Sequence, residues 1–272
     1  MRIVGVGQVL FALSVAMLGG LSLLSGDFVL NWQPVPSWVP GREALAYASG
    51  ALLVVFSLGI IVRPIARLSA LVLTINFVIW LLLLKLPLVA SLLDAGGWLG
   101  VGETSVMVAG AWAILVTLSN QAGPAFGTGS GSLRVLRILL GVALVLIGQS
   151  HFVYTKETIA LIPAYVPHRL GFAYFTGACH IAAGAAVLFS VVPRLAATME
   201  AVMMALFAIM VWLPKMASAP TSRFEATAFL ISIALASAAL AVAGTYGGPA
   251  GLPIGRADRP SATAGASRRS PS

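Results

Sequence analysis

Apolar runs long enough to cross a bilayer constrain this chain before anything else does. Leu10 to Leu24, Leu45 to Val62 and Leu68 to Leu84 contain no charged residue, and each approaches the ~20 residues that a helix needs to span a ~30 Å hydrocarbon core. Only 9% of the residues are charged and 59% are hydrophobic, whereas a soluble domain is about a quarter charged. Too little polar side chain remains to cover a water-soluble globule. The runs are therefore expected to be spanning helices, not buried strands.

Marking the Gly/Pro-rich and charged interruptions divides the chain into eight helices, over 3-25, 43-62, 65-86, 103-119, 133-153, 170-190, 194-213 and 224-244. The first follows a single Arg2, exceeds a signal-peptide core in length and lacks a clear A-x-A site, so it is read as a retained helix. Arg2, Arg63, Arg67, Arg134, Arg137, Arg194 and the tail arginines fall on one side, against Arg42, Lys85, Lys156, Arg169, Lys215 and Arg223 on the other. The second side also carries Asp27, Glu43, Asp94, Glu103, Glu157 and Glu225. Basic residues favour the cytoplasmic side, so both termini are expected in the cytoplasm and the chain in the cell membrane. The net charge of +8 is spread singly between apolar runs, which excludes a nucleic-acid surface. One cysteine, Cys179, excludes intramolecular disulfides, CxxC chemistry and a tetrahedral cysteine zinc site.

The segment 120-132, NQAGPAFGTGSGS, reads as a flexible linker. It separates a first four-helix repeat over 1-119 from a second over 133-246, and 247-272 reads as a disordered cytoplasmic tail. The halves align at a shift of 127 residues: Pro36, Val39, Pro40, Arg42, Ala46, Tyr47, Gly50 and Ala51 match Pro163, Val166, Pro167, Arg169, Ala173, Tyr174, Gly177 and Ala178. With an even number of helices per half, the copies share one orientation, a parallel repeat about an axis along the membrane normal. The expected fold is an all-α membrane protein of two tandem four-helix bundles.

The most distinctive text is IPAYVPHRLGFAYFTGACHIAAG, echoed by PVPSWVPGREALAYASGALL. Pro163 and Pro167 break the helix, Tyr165 and Trp38 are natural headgroup anchors, and Ala173, Gly177 and Gly184 admit a close helical neighbour. A Gly followed by His-Phe near a helix end, then P-x-x-V-P, then a helix with T-G resembles the DoxX family, here through Gly148, His151, Phe152, Pro163, Val166, Pro167, Thr176 and Gly177. The second half carries the fuller match; in the first, Ser22 and Leu23 fall near the place of Gln149 to His151, and Leu53 replaces His180. The resemblance implies a subunit of a quinone-linked membrane redox complex with soluble or membrane redox partners, as for thiosulfate:quinone oxidoreductase subunits and membrane complexes answering oxidative stress. Family helices often carry an acidic residue two positions after the T-G, where this chain has Cys179 and His180.

All three histidines lie in the second half. His180 is expected ~16 to 18 Å below the outer end of its helix, with His151 and His168 near the surface, so no metal site joining the three is expected. His180 at mid-membrane is the candidate catalytic residue, exchanging a proton with a bound quinone; the alternative is a neutral imidazole held by a neighbouring helix. Thr176 shares its face, with Gln149 and His151 at the mouth of a cavity; His168, Arg169 and Tyr174 complete the candidate binding residues. Glu200 is expected to form a structural ion pair with Arg137, Asn76 to join helices, and Met203, Met204 and Met210 to pack. No P-loop, GxSxG or HExxH occurs. A carrier of small solutes or lipids, or a noncatalytic scaffold, would also fit a parallel repeat with polar residues at mid-membrane.

Overall fold

The structure, a computed structural model, describes residues 3–92, 95–122 and 127–247. The tail beyond 247, Arg2, Asp94 and linker positions 123–126 lie outside the described residues. In chain order the helices are α1 (Ile3–Ser25), α2 (Arg42–Gly59), α3 (Ala66–Trp80), α4 (Leu86–Leu92), α5 (Ala95–Ala122), α6 (Ser130–Val153), α7 (Thr155–Leu161), α8 (Arg169–Leu188), α9 (Pro193–Phe207), α10 (Leu213–Ser218) and α11 (Arg223–Gly244). A π turn, Leu81–Lys85, joins α3 to α4, and another, Ala208–Trp212, joins α9 to α10. Among the described residues eight helical stretches are long and apolar enough to cross a membrane, as expected.

The third and seventh spans run past their prolines, to Val89 and Ser218. Pro87 and Pro214 each follow a π turn by two residues. Neither can donate to the carbonyl four residues back, which lies inside that turn; widening the turn accommodates the ring without ending the helix. The fourth span begins at Gly96, not at residue 103. Its glycines read as loop but serve close packing: a Cβ on Gly97 would lie 3.1 Å from Val89, and one on Gly102 would lie 3.0 Å from the Ala143 carbonyl oxygen. Lys85 and Glu103, expected at the outer ends of their spans, are thereby drawn inside the bundle, Lys85 with only 5% of its surface exposed and donating to the Asn31 carbonyl at 3.3 Å. The 120-132 linker shortens from both ends, since α5 reaches Ala122 and α6 starts at Ser130.

The last span of each half packs against the first span of the other: α5 on α6, and α11 on α1. α5 and α11 also meet each other, where a Cβ on Gly110 would overlap Ala238. They are the central helices, with 78% and 61% of their apolar windows buried against 28% to 44% elsewhere. The outer helices turn apolar side chains such as Leu83, Val55 and Phe175 outward, as lipid-facing surfaces require.

In each half the first two spans cross on glycine. A Cβ on Gly148 would lie 2.7 Å from the Gly177 carbonyl oxygen, and one on Gly19 would lie 2.7 Å from that of Gly50. Around these crossings the halves are filled differently. Leu53 and Leu73 are fully buried in the first, beside an aromatic cluster of Phe11, Trp32, Phe77 and Trp80 with ring centroids 5.2 to 6.2 Å apart. At the same 127-residue shift the second half has His180 and Glu200.

Candidate functional site

Small residues bring the polar side chains of the second half together. Ala173, Gly177 and Gly184 line the buried face of α8, and Gly141 and Gly148 answer them on α6. The backbones approach so closely that His151, one turn beyond Gly148, lies against Gly177 and within reach of both Thr176 and His180. Behind His180, α9 contributes Glu200 from its buried face.

A continuous polar chain results. His180 Nδ1 lies 2.6 Å from Glu200 Oε1, and both side chains are almost wholly buried, at 3% and 0% exposure. The His151 and His180 rings are 5.1 Å apart between centroids. His151 Nδ1 lies 3.1 Å from Thr176 Oγ1, and that hydroxyl is also 3.0 Å from the Phe172 and Ala173 carbonyls. A hydroxyl has one proton to donate, and the carbonyls can only accept it. Nδ1 of His151 is then the donor to Thr176. With Glu200 ionised, Nδ1–H of His180 is the donor to its carboxylate. Among the described residues Glu200 Oε2 is buried without a hydrogen-bond partner.

Both rings border a chamber of about 200 Å³ between α5, α6, α7, α8, α9 and α11. Its polar lining is Glu103, Ser150, His151, Thr158, His180 and Ser232; its apolar lining includes Ile147, Met204, Phe207 and Trp212. Phe207 stacks on His180, with centroids 6.3 Å apart and planes at 10°. Phe207 also lines an apolar groove of about 200 Å³ with Ile162, Pro163, Phe172, Phe175, Thr176 and Met203. It thus borders both a polar pocket and an oily one, immediately before the π turn at Ala208.

Several expectations change. Glu200 pairs with His180, not with Arg137; Arg137 instead donates to Thr245 Oγ1 at 3.2 Å and lies over the Tyr246 ring at 3.9 Å. The neighbours of α6 decide this: Arg137, near the start of that helix, faces the end of α11, while Glu200 is two turns into α9 on the side of α8. His151 is not at the surface but only 8% exposed beside His180. α8 begins further out than α6 ends, so depth counted from Arg169 places His180 too far from His151. His168 is exposed and caps α8 with a left-handed φ of 51°, in the position that Gly41, φ 67°, takes before α2. Tyr174 is exposed and stacks on Phe152 at 5.3 Å. Gln149 is half-buried and outside the chamber lining. Arg169 lines a separate depression with Tyr165 and Lys215. Glu103, Ser150, Ser232 and Phe207 are chamber residues that the sequence reading missed. Glu103 carried a signal, an acid within the apolar GWLGVGETSVMV; Phe207 carried none.

Among the described residues no three His, Cys, Asp or Glu side chains are grouped to hold a metal ion. Residues 140–243, from α6 to the end of α11, match the family described as a domain of unknown function (DUF8561). That match covers less than half of the chain and contains every polar chamber residue except Glu103. No curated protein and no solved structure matches the chain.

Proposed function

We propose that the chamber binds the headgroup of a membrane-soluble quinone, and that the chain serves as a DoxX-like subunit of a quinone-linked redox complex in the cell membrane. The observation that carries this reading is the Glu200–His180–His151 chain, built at mid-span and facing a cavity whose wall adjoins an apolar groove. Ionisable groups inside a membrane mark functional pathways by default. A quinone carbonyl accepts a hydrogen bond from Nε2–H of a protonated His180, whose charge the Glu200 carboxylate balances. Reduction to quinol adds two electrons to the ring and one proton to each oxygen. His180 supplies the first proton and the water-facing side the second; the electrons come from a redox partner subunit, since this chain brings no dithiol. The carboxylate that DoxX-like helices carry after the T-G is replaced here by one from α9.

The tandem parallel repeat is part of the same reading. The left-handed caps at Gly41 and His168, the π turns and the glycine crossings recur in both halves in the same order. The first copy, with Leu53 and Leu73 in place of His180 and Glu200, is the structural partner of a functional second copy. Both termini lie in the cytoplasm on the distribution of arginines.

Trp212 lines the chamber, so its fluorescence provides a test. A short-tailed quinone titrated into purified protein should quench the emission saturably, and His180→Leu should weaken the apparent affinity at least about tenfold, the loss of one charge-assisted hydrogen bond. Equal quenching in wild type and variant would reject the assignment.

A further inference from the structure

The depression on the side of the protein carrying the start of α8 contains two cations without an acidic partner among the described residues. Arg169 and Lys215 line a cavity of about 320 Å³ together with Tyr165, Ile162, Pro163 and Pro214. Lys215 lies over the Trp212 ring at 5.5 Å, and neither cation forms an ion pair with a carboxylate among the described residues. The corresponding arginine of the first half is neutralised: Arg42 Nη1 lies 2.6 Å from Asp27 Oδ1. The same position is therefore matched by a built-in carboxylate in one half and left open in the other.

The depression continues into the apolar groove beside Phe207, sharing Ile162, Pro163, Met210 and Val211 with it. Positive charge at the mouth and an adjoining apolar groove complement one kind of molecule, an amphiphile with an anionic head and a long hydrocarbon chain. We infer that this surface is a binding site for an anionic phospholipid, its phosphate between Arg169 and Lys215, with Tyr165 at headgroup level, and one acyl chain along Phe172, Phe175 and Met203. A free anion would use the cations but leave the groove empty; a zwitterionic lipid would fill the groove while its own ammonium group offset the attraction. Its two cations lie outside the chamber and neither His180 nor Glu200 lines it, although Thr176 and Phe207 border the apolar groove that it shares with the quinone reading.

The test is native mass spectrometry of the full chain released from nanodiscs holding equal amounts of phosphatidylglycerol and phosphatidylethanolamine. Wild type should retain phosphatidylglycerol in preference, by about fivefold for each engaged cation. Arg169→Gln with Lys215→Gln should abolish the preference, and the His180→Leu/Glu200→Leu variant should leave it intact; Arg169 begins α8 and Lys215 lies three residues from the end of its span, and thermal melting verifies that each variant is folded. Arg169→Gln alone, expected to lose part of the preference, serves if the double variant melts early. Equal retention of the two lipids, or a preference that survives in the folded Arg169→Gln variants, would overturn the inference. So would thermal stabilisation by inorganic phosphate equal to that by the lipid, which would assign the cations to a free anion.

Discussion

His180 and Glu200 face each other across the α8–α9 contact at 2.6 Å, with almost no solvent reaching either side chain. Removing one member of such a pair leaves the other buried and uncompensated, at a cost of roughly 3 to 5 kcal/mol, whereas replacing both by packed hydrophobic residues is often neutral. The first half already shows the hydrophobic solution, with Leu53 and Leu73 fully buried at the matching positions. His180→Leu and Glu200→Leu should each destabilise by about that amount, and the double variant should recover most of it. Chemical denaturation in mixed micelles, read as a double-mutant cycle, checks this coupling.

The crossing of α6 and α8 tolerates no side chain at its closest point. Gly148→Ala would place a methyl carbon 2.7 Å from the Gly177 carbonyl oxygen, and backbone cannot yield as a side-chain tip does. A loss of about 1 to 3 kcal/mol is expected, with the His151–Thr176 hydrogen bond broken as the helices part. Gly20→Ala, where nothing lies within 4 Å, is the control and should gain slightly in helix propensity.

Asp27, just beyond the end of α1, links the two halves. Its carboxylate meets Arg42 at 2.6 Å and Arg223 at 3.3 Å, and accepts from the Phe28 N–H at 2.8 Å. Burial alone would raise its pKa, but the Phe28 N–H and the two guanidinium groups outweigh that and hold it below the ordinary carboxylate value. The folded pKa is the lower one, so the stabilisation is complete above the unfolded value of about 4 and is lost as pH falls through the folded value. With about a third of the side chain exposed, the contribution is at most about 1 kcal/mol. Thermal melts of wild type between about pH 5 and pH 3 should fall more steeply than those of Asp27→Asn.

His168 differs from the other two histidines. It is exposed and held at φ 51° in the cap position that glycine fills before α2. His168→Gly should stabilise by about 1 kcal/mol through relief of the left-handed backbone and leave quinone quenching unchanged, whereas His151→Ala should reduce it. Parallel titrations of the two variants separate a backbone role from a chamber role.

Periodicity and length made the eight spans legible in the sequence, because lipid demands apolar side chains over a set distance whatever the packing. Where a glycine run ended a span on paper, as before Glu103, the reading failed: GGWLGVG supplies close contacts inside the bundle, and only knowledge of the neighbours distinguishes that from a loop. Prolines misled in the same manner at Pro87 and Pro214, where a π turn absorbs them. That His180 and Thr176 share one buried helix face was legible through their spacing. Their neighbours were legible only in part: His151 was expected at the cavity mouth and not beside His180, and Glu200 was assigned to Arg137, because both come from other helices whose relative heights are set by the offset between the ends of α6 and α8. That offset also turned an expected surface histidine into a buried one and gave Glu200 a histidine in place of Arg137.

The most direct measurement is identification of the lipids that stay with the protein when it is extracted gently from its own membrane, analysed by native mass spectrometry and then by lipid extraction. A quinone retained at one per chain in wild type, and absent from the folded His180→Leu/Glu200→Leu variant, is the expected result. A wild-type protein that carries only phospholipid, or a variant that retains the quinone unchanged, would contradict the assignment of the chamber.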